Sequence, residues 1–134
     1  MFWGSRHCTG RTGPYCLYTH ARLQGFLRKL GEPDASDAEA LAALGTREEM
    51  AVVARLRAWP AAVHAAAKAL DPGKITGQVY ELCKAFSVLY DASGHRVREL
   101  QGLRRRGLLA LAKAVAQTLA VGLGLLGIET LDEM

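Results

Sequence analysis

Apolar residues recur along the chain at intervals of three and four, the helical period, and no stretch alternates in the two-residue rhythm of a strand. In "GPYCLYTHARLQGFLRKLG", residues 13–31, Leu23, Phe26, Leu27 and Leu30 fall within roughly a quadrant of a helical wheel. Gly13-Pro14 opens this helix, because proline suits the first helical position, and Gly31 with Pro33 ends it near Leu30. Ser36 with Glu39, and again Thr46 with Glu49, have the spacing of a capping box. They predict a short second helix to about Leu44 and a third through "EEMAVVARLRAW". Trp59-Pro60 predicts a break, since the residue before proline avoids helical dihedrals, and Pro60 opens a fourth helix, "PAAVHAAAKAL". Asp71-Pro72 repeats the cap-plus-proline signal before a fifth, "ITGQVYELCKAFSVLYDA", which Ser93-Gly94 ends. "HRVRELQGLRRRG" reads as a basic connector to a sixth, over residues 107–128, and the tail "IETLDEM" is acidic. The pattern predicts an all-α bundle of five or six helices over residues 13–134, after an irregular lead-in at 1–12.

Composition agrees and narrows the chemistry. The chain has 134 residues, half of them hydrophobic, which is one domain with one core. Alanine and leucine dominate, as helices prefer. A net charge of +4 permits a polyanionic partner without requiring one. Cys8, Cys16 and Cys83 are an odd count without close pairing, as in a cytoplasmic protein with reduced thiols, and "MFWGSRHCTG" lacks the apolar run of a signal peptide. Residues 107–128 are long enough to cross a bilayer. Lys113 and Gln117, however, line up with Arg106, Ala110, Ala120 and Gly124 in a small or polar stripe, which suits a helix largely buried in a bundle; no membrane partner is expected. His7, Cys8, Cys16 and His20 fit no zinc spacing, so no metal is expected. Phosphate loops, dinucleotide fingerprints and paired catalytic carboxylates are absent, and no catalytic residue is assigned.

The first helix carries more than a core face. Tyr15, Tyr18, Arg22 and Lys29 form a stripe about 60° wide beside the apolar one, and Gly25 leaves room next to it. Three readings fit such a stripe: phenols covering the core rim among solvated cations, a tyrosine–arginine protein hot spot, or a platform for unpaired bases and phosphates. His20, on the edge of the core stripe with no nucleophile or carboxylate at a telling distance, reads as a structural hydrogen-bonder.

"GRTGPYCLYTHARLQGFLRK" resembles the junction between the catalytic body and the C-terminal helical domain of arginyl-tRNA synthetases. Gly10, Thr12, Gly13, Pro14, Tyr15, Tyr18, His20 and Arg22 match that family's pattern. "WPAAVHAAAKALDPGKI", "VYELCKAFSVLYD" and "LLALAKAVAQTLAVGLGLLGIETLDEM" resemble its later segments in the same order. The resemblance covers residue 10 to the end and implies the DALR-type anticodon-binding domain, whose partner is arginine tRNA. It implies anticodon contacts from Tyr15, Tyr18, Arg22 and Tyr90 and from the C-terminal Met134. Lys29 and Arg104, Arg105 and Arg106 are candidate phosphate contacts. The sequence departs from the family at Gln78-Val79-Tyr80, where Tyr-Leu-Tyr is common, and residues 1–9 match nothing in it. No nucleotide-binding signature is present, so ATP would be bound by a catalytic domain absent from this sequence, itself a candidate partner, and this chain alone is expected to activate no amino acid. The alternative is a free-standing helical protein-interaction module derived from the same domain, or a remnant that folds poorly.

Overall fold

The computed structural model describes residues 13–31, 38–93, 97 and 99–131. Five helices follow one another: α1 (Gly13–Leu30), α2 (Ala38–Ala42), α3 (Arg47–Ala69), α4 (Gly73–Ser93) and α5 (Gly102–Leu125). No strand occurs among the described residues. The fold is the predicted all-α bundle, with five helices.

Local signals set most boundaries. α1 ends where expected: Gly31 takes φ 95° and its N–H donates to the Leu27 carbonyl at 3.0 Å. The Thr46 capping box forms in full. The Glu49 N–H donates to Thr46 Oγ1 at 3.3 Å, and Glu49 Oε2 accepts from the N–H groups of Thr46 and Gly45 at 2.9 and 2.8 Å. Asp71 caps the next helix, its Oδ1 accepting the Gly73 N–H at 2.9 Å. The Ser36 box lies outside the described residues.

Three expected helix limits differ in the structure. Trp59-Pro60 does not break the chain; α3 runs through Pro60 to Ala69. Pro60 is exposed, so water can satisfy the carbonyl that loses its N–H donor, while Val52, Leu56 and Trp59 before it and Val63 and Ala66 after it join the same core. Packing on both sides outweighs the local preference. The final helix begins at Gly102, not residue 107, so Arg104, Arg105 and Arg106 belong to its first turns rather than to a connector. It stops at Leu125 rather than 128: the Ile128 N–H donates to the Leu123 carbonyl at 2.9 Å and the Gly127 N–H to Gly124 at 3.0 Å, with Gly127 at φ 76°. Those paired bonds are a Schellman ending.

α5 packs against all four other helices. Leu108, Leu109, Leu111, Ala112, Val115, Ala116, Leu119 and Leu123 put it in the core with Leu23 of α1, Val52 of α3 and Val79, Leu82 and Phe86 of α4. α5 is long and apolar enough to cross a membrane, yet more than half of that stretch is buried inside the bundle. Of its small or polar stripe, Arg106, Gln117 and Gly124 are exposed, but Ala110 is buried. Two glycines let neighbours close on this helix. A Cβ on Gly107 would come within 2.4 Å of the Ala40 carbonyl oxygen in α2, and one on Gly122 within 2.6 Å of Val79 and 2.7 Å of Trp59.

Candidate nucleic-acid interface

The α1 wheel sets the site. Cys16, Thr19, His20, Leu23 and Leu27 form its buried face. Tyr15 and Phe26 stand at the rim, and Tyr18, Arg22 and Lys29 stand farther round. The stripe therefore follows the seam between α1 and α4 without being sealed inside it.

Tyr15 is half-buried, and its phenol oxygen lies 3.1 Å from Ser87 Oγ. Ser87 donates in turn to the Cys83 carbonyl at 2.9 Å, so Tyr15 Oη–H donates to the remaining lone pair of Ser87. Burial pushes the Tyr15 phenol above its usual range, and the Ser87 bond only partly offsets this, so the phenol stays a neutral donor at physiological pH. Its ring is 5.9 Å from that of Tyr80 at 54°. The buried thiols of Cys16 and Cys83 lie close by and near each other, and the Cys16 neighbour together with burial pushes the Cys83 thiol above the ordinary range.

Three residues on, Tyr18 is 46% exposed, a large aromatic surface that no core contact requires. One turn farther, the Arg22 guanidinium lies 3.8 Å above the centre of the Tyr90 ring and 4.0 Å from an Asp91 carboxylate oxygen. Phe26 meets Tyr90 edge-on at 5.8 Å and Phe86 flanks it at 6.1 Å. The Tyr90 face that the sequence offers to a base is thus covered by Arg22, and the pair presents a guanidinium plane stacked on a phenol.

A cavity of about 260 Å³ opens at the amino-terminal end of this seam, lined by Gly13, Cys16, Thr76, Val79, Tyr80, Leu123, Leu126 and Ile128. Its walls come from α1, α4, the last turn of α5 and the turn after it. The sequence reading assigned no role to Tyr80. The signal existed, because Tyr80, Cys83, Ser87 and Tyr90 recur at helical spacing and face the α1 stripe.

The other candidates lie beyond the aromatic part of the seam. Lys29 is exposed near the carboxyl end of α1. Arg105 Nη2 donates to the Leu30 carbonyl at 3.4 Å, which sets the first turns of α5 beside that end. Arg106 is exposed. Arg104 has a different occupation. Its guanidinium forms a bidentate pair with Glu49, Nη1 reaching Oε2 at 2.9 Å and Nη2 reaching Oε1, and Nη1 also donates to the Ala43 carbonyl at 3.0 Å. The Glu49 side chain is fully buried. Burial pulls its carboxyl up, but the Arg104 bonds and the Thr46 and Gly45 N–H groups pull harder and hold it below the usual carboxylate range. Met134 lies outside the described residues, as do His7 and Cys8; Cys16 and His20 are buried on α1.

A model of the DALR anticodon binding domain family matches residues 16–134. The arginine–tRNA ligase of Ruegeria pomeroyi is 35% identical over 132 residues, which cover 90% of this chain and 22% of that protein. That of Frankia casuarinae is 37% identical over 125 residues, 93% of this chain and 21% of that protein. The chain thus spans about a fifth of the length of these relatives. Among solved structures, the arginyl-tRNA synthetase of Thermus thermophilus superposes with a TM-score of 0.84 at 32% identity, over 94% of this chain and 22% of that one. The Plasmodium falciparum arginyl-tRNA synthetase gives 0.78 at 20% identity, over 94% and 22%, a likeness of fold.

Proposed function

Because the chain belongs to the family of DALR anticodon-binding domains, we propose that it binds the anticodon stem-loop of arginine tRNA in the cytoplasm, as the C-terminal part of an arginine–tRNA ligase. The role is recognition without bond-making: aminoacylation, with its ATP, belongs to a catalytic domain that this chain would accompany. One observation carries the reading. Tyr18 stands exposed between the Tyr15–Tyr80 pair and the Arg22–Tyr90 stack, and an apolar cavity opens beside the first of them.

Loop bases unstack readily, and aromatic or guanidinium planes hold them. Tyr18 supplies a free ring. Arg22, already over the Tyr90 ring, offers its outer face to a base and its N–H groups to a base or phosphate oxygen. The cavity beside Tyr80 has room for one flipped-out base. Lys29, Arg105 and Arg106 supply positive charge for the phosphate backbone, and Met134 remains an anticodon contact on family grounds. Arg104 is engaged with Glu49 and is left out of the phosphate set.

Binding of an arginine anticodon stem-loop to the parent chain, Tyr18→Ala and Arg22→Ala tests this. Loss of a stacking ring is expected to cost about 1–3 kcal/mol of binding, with helicity unchanged because Tyr18 is exposed. Equal affinities for all three proteins would end the proposal. Protein capture that ignores salt would favour an interaction module in its place.

A further inference from the structure

The chain beyond α5 follows a defined path along α1. A Cβ on Gly13 would touch Ile128 Cδ1 at 3.9 Å, and the Leu131 carbonyl lies 3.3 Å from His20 Nδ1. Three residues of extended chain advance about 10 Å, and seven residues of helix rise about 10 Å, so residues 128–131 keep pace with Gly13–His20. The Schellman turn at Gly127 launches this strap, and Ile128 at its start is a wall of the cavity beside Tyr80.

His20 is 1% exposed. Gln24 Nε2 lies 3.5 Å from its Nε2. A carbonyl oxygen can only accept, so Nδ1 carries a proton and donates it to Leu131, while Nε2 faces the Gln24 amide. A buried donor without an acceptor is costly, so the bond holds the strap to α1 as well as satisfying the ring. Leu131 itself is 48% exposed and adds little apolar anchorage. Among the described residues, the bond to His20 is the polar tie between the strap and α1.

We propose that His20 is a positioning residue for RNA binding: by clamping the Leu131 carbonyl it holds the C-terminal strap against α1 and so keeps the Ile128 wall of the base-sized cavity in place. This rests on the RNA-binding reading above. His20 touches no RNA in this scheme and acts only through the strap.

The test uses the full chain, His20→Leu, His20→Asn and a chain ending at Thr130, which lacks the acceptor carbonyl. Asparagine keeps an N–H close to the position of Nδ1–H; leucine has none. Hydrogen exchange of the strap is read without RNA at the Ile128 amide, which donates to the Leu123 carbonyl, alongside the core amides of α5 as a folding control. Affinity for the arginine anticodon stem-loop is read separately. His20→Leu is expected to speed strap exchange at least tenfold with the α5 core still protected, and to weaken stem-loop binding about tenfold. His20→Asn should restore both in large part. In the chain ending at Thr130, His20→Leu should change affinity less than twofold. Unchanged strap exchange in His20→Leu would overturn the clamp. Faster exchange with full affinity would overturn the role of the strap in binding. Equal loss in the full and shortened chains would show that His20 acts elsewhere. If the parent chain binds no stem-loop, the RNA-binding reading falls, and this role with it, while the exchange data still judge the clamp.

Discussion

Arg104 and Glu49 show how one residue's neighbours redirect it. Three arginines in the first turns of a helix sit where the helix dipole disfavours cations. One of them neutralises a carboxylate with no exposed surface, and its own side chain is only 32% exposed. Arg104→Ala would leave that carboxylate buried and unpaired, a change expected to cost about 3 kcal/mol, the lower end for a broken buried pair because Arg104 keeps some contact with water. Urea denaturation measures it. The pH dependence has a definite direction. The folded carboxyl of Glu49 titrates below its unfolded value of about 4.3, so its contribution is whole above that value and is lost as pH falls through the lower, folded one. The parent urea midpoint should therefore hold from neutral pH to about 5 and fall below about 4. In Arg104→Ala, buried Glu49 would titrate higher and the decline should begin nearer neutrality. The Thr46–Glu49 box was legible in four consecutive letters. Its link to residue 104 was not, because 55 residues of chain separate the partners.

At the level of elements, caps and glycines were readable and continuity was not. Gly31, Thr46 and Asp71 end or begin helices through bonds made within a few residues of themselves. Pro60 is a local signal as strong as any of these, yet α3 passes through it, because Trp59 and Val63 on either side join the same core. The short α2 depends on a close approach at Gly107, where an added Cβ would meet backbone rather than a movable side chain. Gly107→Ala is expected to destabilise the fold by about 1–3 kcal/mol and to loosen α2 first. Hydrogen exchange should show α2 amides losing protection while the α3–α4 pair keeps its own. Equal loss in all helices would place the strain elsewhere.

Over the whole molecule the charge is +4, and its placement matters more than its size. Lys29, Arg105 and Arg106 gather where α1 ends and α5 begins, while the aromatic groups line the seam toward the amino-terminal end of α1. From Tyr15 to Lys29 the helix rises about 21 Å, room for a loop at one end and stem phosphates at the other. Replacing Lys29 and Arg106 together by alanine is expected to lower the slope of log affinity against log salt by about 1–2 units, with discrimination among loop sequences kept. Tyr18→Ala should do the reverse, leaving the slope and weakening binding at every salt concentration. Titration at several salt concentrations separates the two. The sequence by itself determined the helical class, most helix ends, the stripe of Tyr15, Tyr18 and Arg22, and a family resemblance matched over residues 16–134. All of these rest on periodicity, on hydrogen bonds spanning three or four residues, or on motif order. Tertiary structure alone decided that α3 is one helix, that Arg104 pairs with Glu49, that Arg22 lies on Tyr90, and that His20 meets the Leu131 carbonyl. Those pairings join distant segments, and no local energy reports them until packing brings the partners within contact distance.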